Sequence, residues 1–392
     1  MENIYLQEAQ ALAPYMEEIF YHLHRHPELS CQEYETQKFI LAELEKLGIE
    51  AEKVADTGVV GIIQGGKPGK TVGFRADMDA LPLLEETDLP YKSENDGVMH
   101  ACGHDSHMTI LLGFAKMMVA RKAELTGNIK LFFQPAEEKN GGARRMIAGG
   151  CLENPQVDGV FFSHCTGGYP LGQIKAKYGS VSAASNAFFV TVKGKSCHGA
   201  YPHRGIDPIA AACQMVTAIQ TIVSRRTSAA DSVVVTVGSI QGGTAPNIVA
   251  EEVKFSGTIR TLNPTCRQQA VDSFRQIVTG IAQAMNVEVD IFIKEGYAAT
   301  INNEQMVDLV RSAGAKVLGT ENVLTKPEVT MGAEDFAYFC EAAPGCYFSF
   351  GIAAADQPQA PAHNPKFKLD PRALPYGAAV YAQIATDFLA KN

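Results

Sequence analysis

The sequence lacks any uninterrupted apolar stretch long enough to cross a bilayer, which requires about 18 to 20 residues. Its apolar segments are interrupted by Lys, Gln, Thr or Gly at short intervals, so we expect no membrane span. It also lacks an excess of basic residues, since 34 Lys and Arg are outnumbered by 43 Asp and Glu, for a net charge of -9. A dominant surface for the phosphate backbone of nucleic acids is therefore not expected.

Low-complexity tracts and internal repeats are absent as well. The first residues, MENIYLQEAQ, have neither the basic nor the apolar region of a secretory signal, so a cytoplasmic location is predicted. The nine cysteines are an odd number spread over 392 residues, which favours reduced thiols over a disulfide framework. With 46% hydrophobic and 20% charged residues, the composition is that of an ordinary globular protein with two or three domains.

Hydrophobic periodicity predicts two amphipathic helices near the N-terminus, over residues 12–23 and 33–47. Short apolar runs then alternate with helical segments. In chain order these are GVVGII, TVGFRA, a helix at about 107–120, NIKLFF, a helix near 141–148, and VDGVFF. This alternation predicts an α/β fold with a largely parallel sheet.

The pattern changes at about residue 180. From there to residue 294 the order is strand, helix, strand, strand, helix, strand, which is the βαββαβ order of a ferredoxin-like domain. We therefore expect residues 180–294 to be an inserted domain. Residues 1–179 and 295–392 would together form a discontinuous α/β domain.

The densest group of potential metal ligands lies in MHACGHDSHMT, residues 99–109. Here Cys102 and His104 are two residues apart on a Gly-containing segment, so both side chains can reach a borderline ion such as zinc. Taken alone, the segment is equally consistent with a polar loop that has a buried cysteine and hydrogen-bonded histidines.

Other ligand-type residues follow predicted strands. Glu137 and Glu138 come directly after NIKLFF, Asp77 ends TVGFRA, and His164 follows GVFFS. His363 lies in a Pro-rich loop after CYFSFGI. A Glu pair by itself is more often a favourable helix start. Here, however, several strands place ligand-type residues at one edge of a sheet. This arrangement indicates a functional site, because α/β sheets have their sites at the carboxyl ends of strands.

Five candidate metal ligands result from this convergence. They are Cys102, His104, Glu138, His164 and His363. Five protein ligands exceed what a single catalytic tetrahedral ion with an open position uses. Two metal ions that share a water molecule fit the set better.

A series of motifs extends from about His22 to about Gly377. They are HRHPELSCQEYET, FRADMDALP, MHACGHDSHMT, QPAEE, CHGAYPHRGIDPI, GGTAPNIV, GTIRT, AEDFAYF, PGCYFSFG and HNPKF. With these motifs the sequence resembles the amidohydrolase branch of the aminoacylase and carboxypeptidase superfamily. That branch includes hippurate hydrolases, N-acyl-amino-acid deacylases and plant auxin-conjugate hydrolases.

The resemblance implies a catalytic α/β domain with two divalent metal ions, manganese or zinc, and a smaller lid domain that mediates homodimerisation. Pairing of dimers into homotetramers stays open. The five candidate ligands match the family's metal ligands by position, and Glu137 matches its general base. Where the wider superfamily has His-x-Asp, this sequence has Arg75-Ala76-Asp77. Asp77 is therefore interpreted as a residue that orients a ligand.

Three residues of the inserted domain match family positions that act on the substrate. His198 resembles a histidine that reaches a neighbouring subunit's site and stabilises the oxyanion. Asn247 and Arg260 match positions that bind the substrate carboxylate, for which the guanidinium fork is suited. From the residues alone, His198 would be a surface histidine and Arg260 a solvated charge at a strand end.

The function implied is hydrolysis of the amide bond of N-acyl amino acids, N-acetyl, N-benzoyl or related, to a carboxylic acid and a free amino acid. The alternative is a dipeptidase or a carboxypeptidase-like exopeptidase with the same dinuclear site. A non-catalytic metal-binding protein on this scaffold would be indicated by loss of the base or of a ligand, and all six residues are present. After His164 the residues Cys165–Gly168 are smaller than those of many relatives, which predicts a differently shaped acyl pocket.

Overall fold

A computed structural model describes residues 3–139, 141–325, 328–354 and 360–390. The α-helices are α1 (Ile4–Ala11), α2 (Ala13–Arg25), α3 (Tyr34–Lys46), α4 (His104–Val119), α5 (Gly142–Ala148), α6 (Pro208–Ile219), α7 (Pro264–Met285), α8 (Glu304–Leu318), α9 (Ala337–Ala342) and α10 (Leu374–Leu389). The strands are β1 (Glu50–Val54), β2 (Gly58–Gln64), β3 (Lys67–Asp77), β4 (Thr126–Gln134), β5 (Gly159–Pro170), β6 (Ile174–Lys175), β7 (Gly179–Ser182), β8 (Ala184–Lys193), β9 (Cys197–His198), β10 (Val233–Gly242), β11 (Ile248–Val249), β12 (Glu252–Thr261), β13 (Glu288–Glu295), β14 (Thr300–Asn302), β15 (Val323–Leu324) and β16 (Gly345–Ala353).

The described residues divide into two compact units. The first consists of Met1–Gly179, Ile301–Glu328 and Asp335–Asn392, and the second of Ser180–Thr300 with Val329–Glu334. The predicted boundary at residue 294 therefore lies six residues before the end of the main segment of the second unit. The short return segment 329–334 was predicted to belong to the first domain, and this assignment differs from the structure.

The first unit contains an eight-stranded sheet in the order β1-β2-β4-β3-β5-β16-β6-β15. Strand β3 pairs in parallel with β4 and β5, and β5 pairs in parallel with β16. The edges include antiparallel pairs, such as β1 with β2 and β2 with β4. The predicted α/β fold with a mostly parallel sheet is confirmed.

Helices α4 and α10 pack against the centre of this sheet. Nearly every residue of α4 is buried, including the polar residues of its first turn, and most of the residues after that turn are apolar, as in a core helix. The ring of Phe74 on β3 lies 4.6 Å from Phe114 of α4 and 4.8 Å from Tyr381 of α10, measured between centroids. This aromatic packing fixes α4, and with it the residues at its N-terminus, against the sheet.

The second unit is built on a four-stranded antiparallel sheet in the order β10-β12-β8-β13. Helices α6 and α7 cover one face, where Phe188 of β8 packs against Phe274 of α7 with 4.4 Å between the ring centroids. The chain order β8-α6-β10-β12-α7-β13 is the ferredoxin-like βαββαβ order. The structure adds a two-stranded ribbon of β9 and β11, which the periodicity did not predict because each strand has only two residues.

Helices α1 and α4 of the first unit differ from the prediction. Helix α1 was not predicted, and α4 begins at His104 rather than at residue 107. Gly103, with φ of +82°, precedes α4 as its N-cap. His104 therefore lies in the first turn of a helix and not on a loop. No helix of the described ranges is long and apolar enough to span a bilayer.

Candidate metal centre

Gly103 allows Cys102 and His104 to point into the same space. Its positive φ is the left-handed conformation that glycine adopts most readily. A Cβ atom at this position would lie 2.3 Å from the Sγ atom of Cys165, so a side chain is excluded sterically as well. On one side of the glycine, the Sγ atom of Cys102 lies 3.5 Å from Nε2 of His164.

The imidazoles of His104 and His164 are each held by a hydrogen bond from Nδ1 to a backbone carbonyl oxygen. His104 donates from Nδ1 to the carbonyl oxygen of Asp79 over 2.8 Å, and His164 donates from Nδ1 to the carbonyl oxygen of Cys165 over 2.8 Å. In the neutral tautomer each Nε2 is then an unprotonated ligand atom. Nε2 of His104 is buried and has no hydrogen-bond partner among the described residues. Such an atom is what a bound metal ion satisfies.

Glu138 and His363 complete the group. Oε1 of Glu138 lies 3.1 Å from Nε2 of His363 and 3.9 Å from Nε2 of His104. His363 adopts a φ of +64° and donates its backbone N–H to the carbonyl oxygen of Ala101 over 2.8 Å. This bond ties the His363 loop to the segment that contains Cys102.

The five predicted ligands form overlapping groups whose ligand atoms lie within 4.8 Å of one another: Cys102 with His104 and His164, Cys102 with Glu138 and His363, and His104 with Glu137 and Glu138. Thiolate, imidazole and carboxylate donors together suit borderline divalent ions. The structure thus brings together every metal ligand predicted in the first unit, and it places Glu137 beside them.

The electrostatics of the group favour a cation. Burial opposes an imidazolium at His104, but Asp77 and Asp79 outweigh burial and raise its pKa to about 10. Burial and the charges of Glu138 and Glu137 hold the pKa of the Cys102 thiol well above its usual range. A divalent ion at these atoms would replace the histidine proton and lower the thiol pKa. The residues present therefore fit a metal centre.

Asp77 lies in a chain of buried charges beside this group. Its Oδ1 accepts from Nδ1 of His107 over 2.6 Å, and its Oδ2 accepts from Nη1 of Arg75 over 2.8 Å. Arg75 also donates from Nη2 to Asp335 over 2.7 Å. Oδ2 of Asp77 is 3.4 Å from Nε2 of His104. This position suits the orienting role interpreted for Asp77.

Asp79 is a residue that the sequence interpretation missed. Its Oδ1 accepts the backbone N–H of Glu137 and its Oδ2 that of Glu138, each over 3.0 Å. Its backbone carbonyl holds His104. The spacing of Asp77 and Asp79 was a usable signal, because residues two apart at a strand end point to the same side.

In the second unit, the β9–β11 ribbon brings His198 and Asn247 close together. His198 pairs with Ile248, and the N–H of Gly199 donates to the carbonyl oxygen of Asn247 over 2.7 Å. Nδ1 of the exposed His198 accepts the N–H of Ala200 over 3.0 Å. Its neutral ring therefore has its proton on Nε2, where it is available as a hydrogen-bond donor.

Arg260 lies on β12 between Val234 of β10 and Ser185 of β8. Burial lowers the pKa of its guanidinium. Within the described ranges, no salt bridge joins Arg260 to a carboxylate. A half-buried guanidinium of this kind suits an anionic ligand.

His24, part of the first motif, lies outside the ligand group. Its Nδ1 is 2.6 Å from Oδ2 of Asp105 and its Nε2 is 3.3 Å from Oε1 of Glu85, and all three side chains are buried. Asp105 directly follows His104 in α4. His24 therefore anchors the first turn of the helix that contains the candidate metal ligand His104.

The family model described as Peptidase family M20/M25/M40 matches residues 73–387. The chain belongs to this family. It is 40% identical over 372 residues to thermostable carboxypeptidase 1 of Saccharolobus solfataricus, with 93% of each chain covered. It is 37% identical over 365 residues to N-acetylcysteine deacetylase of Bacillus subtilis, with 93% of this chain and 94% of the relative covered.

Among solved structures, the chain is similar to a dinuclear metal-binding peptidase of the M20 family from Bacillus subtilis. The TM-score is 0.86 at 33% identity, and 98% of this chain and 100% of that chain are covered. The predicted family resemblance is confirmed. The protein is a metal-dependent hydrolase of the M20 family.

Proposed function

We propose that the enzyme hydrolyses the amide bond of N-acyl amino acids to a carboxylic acid and a free amino acid. The observation that supports this most strongly is the turn at residues 135–138, which places Glu137 beside the metal-ligand candidate Glu138 and next to His104. A carboxylate adjacent to a dinuclear site has the position that a general base for hydrolysis requires.

Cys102, His104, Glu138, His164 and His363 would hold two divalent ions, manganese or zinc. When bound, such ions acidify water and polarise an amide carbonyl. The cysteine ligand favours a borderline ion such as zinc, while the carboxylate and imidazole ligands are equally suited to manganese.

Glu137 accepts the proton of the attacking water at a carboxylate oxygen as the new C–O bond forms. It then delivers this proton to the leaving nitrogen as the C–N bond breaks, so the products are a carboxylic acid and an amine. The hydrogen bond from the backbone N–H of Glu137 to the buried carboxylate of Asp79 holds the backbone of the base in place before substrate binds.

The second unit acts as a lid in this proposal. Nε2 of His198 donates a hydrogen bond to the oxyanion in the site of a neighbouring subunit, so the active species is at least a homodimer, or a homotetramer built from dimers. Asn247 and the desolvated guanidinium of Arg260 bind the carboxylate of the substrate. Recognition of this carboxylate restricts the enzyme to amides with a free carboxylate near the scissile bond.

A second candidate is a carboxypeptidase-like or dipeptidase activity at the same site. The identity of 40% to a thermostable carboxypeptidase favours it, and a peptide with a free C-terminus offers the same amide and carboxylate. We further propose a cytoplasmic location, which the odd number of nine cysteines supports because it favours reduced thiols over a disulfide framework.

The test is release of free amino acid by protein reconstituted separately with manganese and with zinc. The substrates are N-acetyl, N-benzoyl and longer N-acyl amino acids. Dipeptides and tripeptides with a free C-terminus are assayed in parallel. We expect metal-dependent release that is fastest from acyl amino acids. Faster hydrolysis of the peptides would replace the proposal by the second candidate, and inactivity of the metal-loaded protein on all of them would refute both.

A further inference from the structure

The turn that contains Glu137 has an unfavourable backbone conformation. It follows β4 at residues 135–138, and Ala136 adopts a φ of +54°. This left-handed region is disfavoured for residues with a Cβ atom. Such a conformation persists only where surrounding contacts hold it.

Two buried carboxylates supply those contacts through three successive backbone N–H groups. Asp79 accepts from Glu137 and Glu138, as described above. Oε1 of Glu33 accepts the N–H of Ala136 over 2.8 Å. Glu33 lies 103 positions before Ala136 in the chain, and its contact holds the residue that has the strained φ.

Glu33 is itself fixed on the other sides. Its side chain is fully buried. Its Oε1 also accepts the N–H of Cys31 over 3.0 Å, and its Oε2 accepts the hydroxyl of Thr57 over 2.6 Å. Burying a carboxylate costs free energy unless its oxygens are hydrogen-bonded. Here the hydrogen bonds connect the α3 entry, the β1–β2 turn and the turn at 135–138.

Local helix capping does not account for this arrangement. Glu33 is the N-cap residue of α3, yet its side chain makes no capping hydrogen bond to that helix. Both of its side-chain oxygens are bound elsewhere, Oε1 by the N–H groups of Ala136 and Cys31 and Oε2 by the hydroxyl of Thr57.

We propose that Glu33 is a positioning residue for Glu137: it holds the left-handed turn through Ala136 and so places the base and the adjacent ligand Glu138. The inference rests on the proposed function, in which Glu137 is the base. Glu33 acts through the backbone and does not contact the reacting atoms.

The experiment compares two substitutions at residue 33 in the full-length, metal-loaded enzyme. Glu33→Leu removes the acceptor for Ala136 at similar size. Glu33→Gln keeps Oε1 for Ala136 and Cys31, and its amide can donate to the Thr57 hydroxyl. We expect kcat to fall at least tenfold in Glu33→Leu with KM within twofold of wild type, and kcat of Glu33→Gln to stay within threefold.

The matched control is Glu43→Leu, since Glu43 is a buried glutamate near the other end of α3 that binds Tyr15 and Lys46 and makes no contact with the turn. We expect this variant to lose stability but to keep kcat when assayed well below its melting temperature. A wild-type kcat in folded Glu33→Leu, or an equal fall in Glu43→Leu, would overturn the proposal.

A second readout does not depend on the substrate. Isothermal titration with Mn²⁺ should show at least threefold weaker binding to Glu33→Leu apoprotein than to wild type, and unchanged binding to Glu33→Gln, because Glu138 shares the turn. If the wild type hydrolyses none of the amides, the proposed function fails, and this titration alone decides the role of Glu33. Equal affinities would then refute it.

If Glu33→Leu does not fold, Glu33→Asp takes its place. This substitution withdraws the carboxylate by one C–C bond, about 1.5 Å, and keeps it buried. We expect an intermediate fall in kcat, and an unchanged kcat would refute the proposal.

Discussion

The turn at residues 135–138 and the β9–β11 ribbon contain proposed functional residues in opposite environments. In the turn, Glu137 is buried and its backbone N–H is bound by Asp79, which is buried as well. In the ribbon, His198 is exposed and the two strands pair over only two residues each. One region is held by buried hydrogen bonds and the other by a short exposed ladder.

The two environments match the different actions proposed for the two kinds of residue. Ligand and base atoms must meet within a few ångströms before the reaction, so their positions have to be fixed by the fold. An oxyanion donor is needed only during the reaction, and a segment that moves can deliver it. Locally weak segments, with few buried contacts, are the ones that open and close most easily.

The sharpest test of the rigid region is Glu137→Gln. The amide cannot accept the proton of water, so we expect kcat to fall by about 10³-fold or more, in line with the loss of a general base. The backbone hydrogen bonds of the turn remain, so two metal ions per subunit should still bind. Activity assays together with elemental analysis of the purified variant check both statements.

Glu138→Gln is the matched partner of this variant, since it changes the adjacent carboxylate in the same turn. Here we expect weaker metal binding together with loss of activity. Substantial turnover by Glu137→Gln would refute its role as base, and full metal retention by Glu138→Gln would refute its role as ligand.

The ribbon is tested by His198→Ala. Loss of an oxyanion donor costs about 10²- to 10³-fold in kcat, and we expect metal content to stay normal because His198 is not a candidate ligand. Exposed His203, five residues later, is the control, and His203→Ala should keep kcat. Mixing His198→Ala with Glu137→Gln chains should restore part of the activity if the site is shared between subunits, whereas no restoration would argue against sharing.

A smaller effect is expected for Arg260→Ala. A hydrogen bond to a charged group contributes about 1.5 to 3 kcal/mol, so KM should rise roughly 10- to 100-fold with a lesser change in kcat. Lys254→Ala on the same strand is the control, because Lys254 forms an exposed salt bridge with Glu252. Equal KM values for wild type and Arg260→Ala would remove Arg260 from the binding site.

The smallest effect concerns stability and its dependence on pH. Burial lowers the pKa of His24, but Asp105 and Glu85 outweigh burial and raise it to about 9. Because the folded pKa exceeds the ordinary value of about 6.5, the stabilisation is complete below pH 6.5 and is lost as pH rises through 9. The pKa values of Asp105 and Glu85 are lowered, so the stabilisation of the folded state that these two carboxylates contribute is lost at acidic pH instead.

We therefore expect wild type to exceed His24→Asn in unfolding free energy by on the order of 2 kcal/mol at pH 6, and by much less at pH 10. Urea unfolding at pH 6, 8 and 10 measures this difference. His203→Asn, at an exposed site, should show no such trend. A difference for His24→Asn that is independent of pH would contradict the assigned charge of His24.

The ligand group could be predicted because its residues follow separate strands. Parallel strands end at one edge of a sheet, so Asp77 at the end of β3, Glu138 after β4 and His164 on β5 were expected to meet. The fold class followed from the alternation of apolar and helical periods. The roles themselves came from the motifs, since two adjacent glutamates do not distinguish a base from a ligand.

Glu33 could not be predicted in the same way. Its partner is the backbone N–H of Ala136, which any residue other than proline offers, so no side-chain pattern indicates the pair. The helix start at His104 was missed because it depends on the left-handed φ of Gly103. Residues 329–334 were assigned to the first domain because they join the second unit only through contacts that are distant in sequence.

The order of strands in the large sheet has a consequence for synthesis. Strand β16 lies between β5 and β6, although almost two hundred residues separate it from β5 in the chain. Because a chain is synthesised at about 5 to 20 residues per second, β16 becomes available to pair with β5 on the order of 10 to 40 seconds after β5 is made. His363 follows still later, so the nascent chain has an incomplete set of candidate metal ligands while Ser180–Thr300, the main segment of the second unit, is being synthesised.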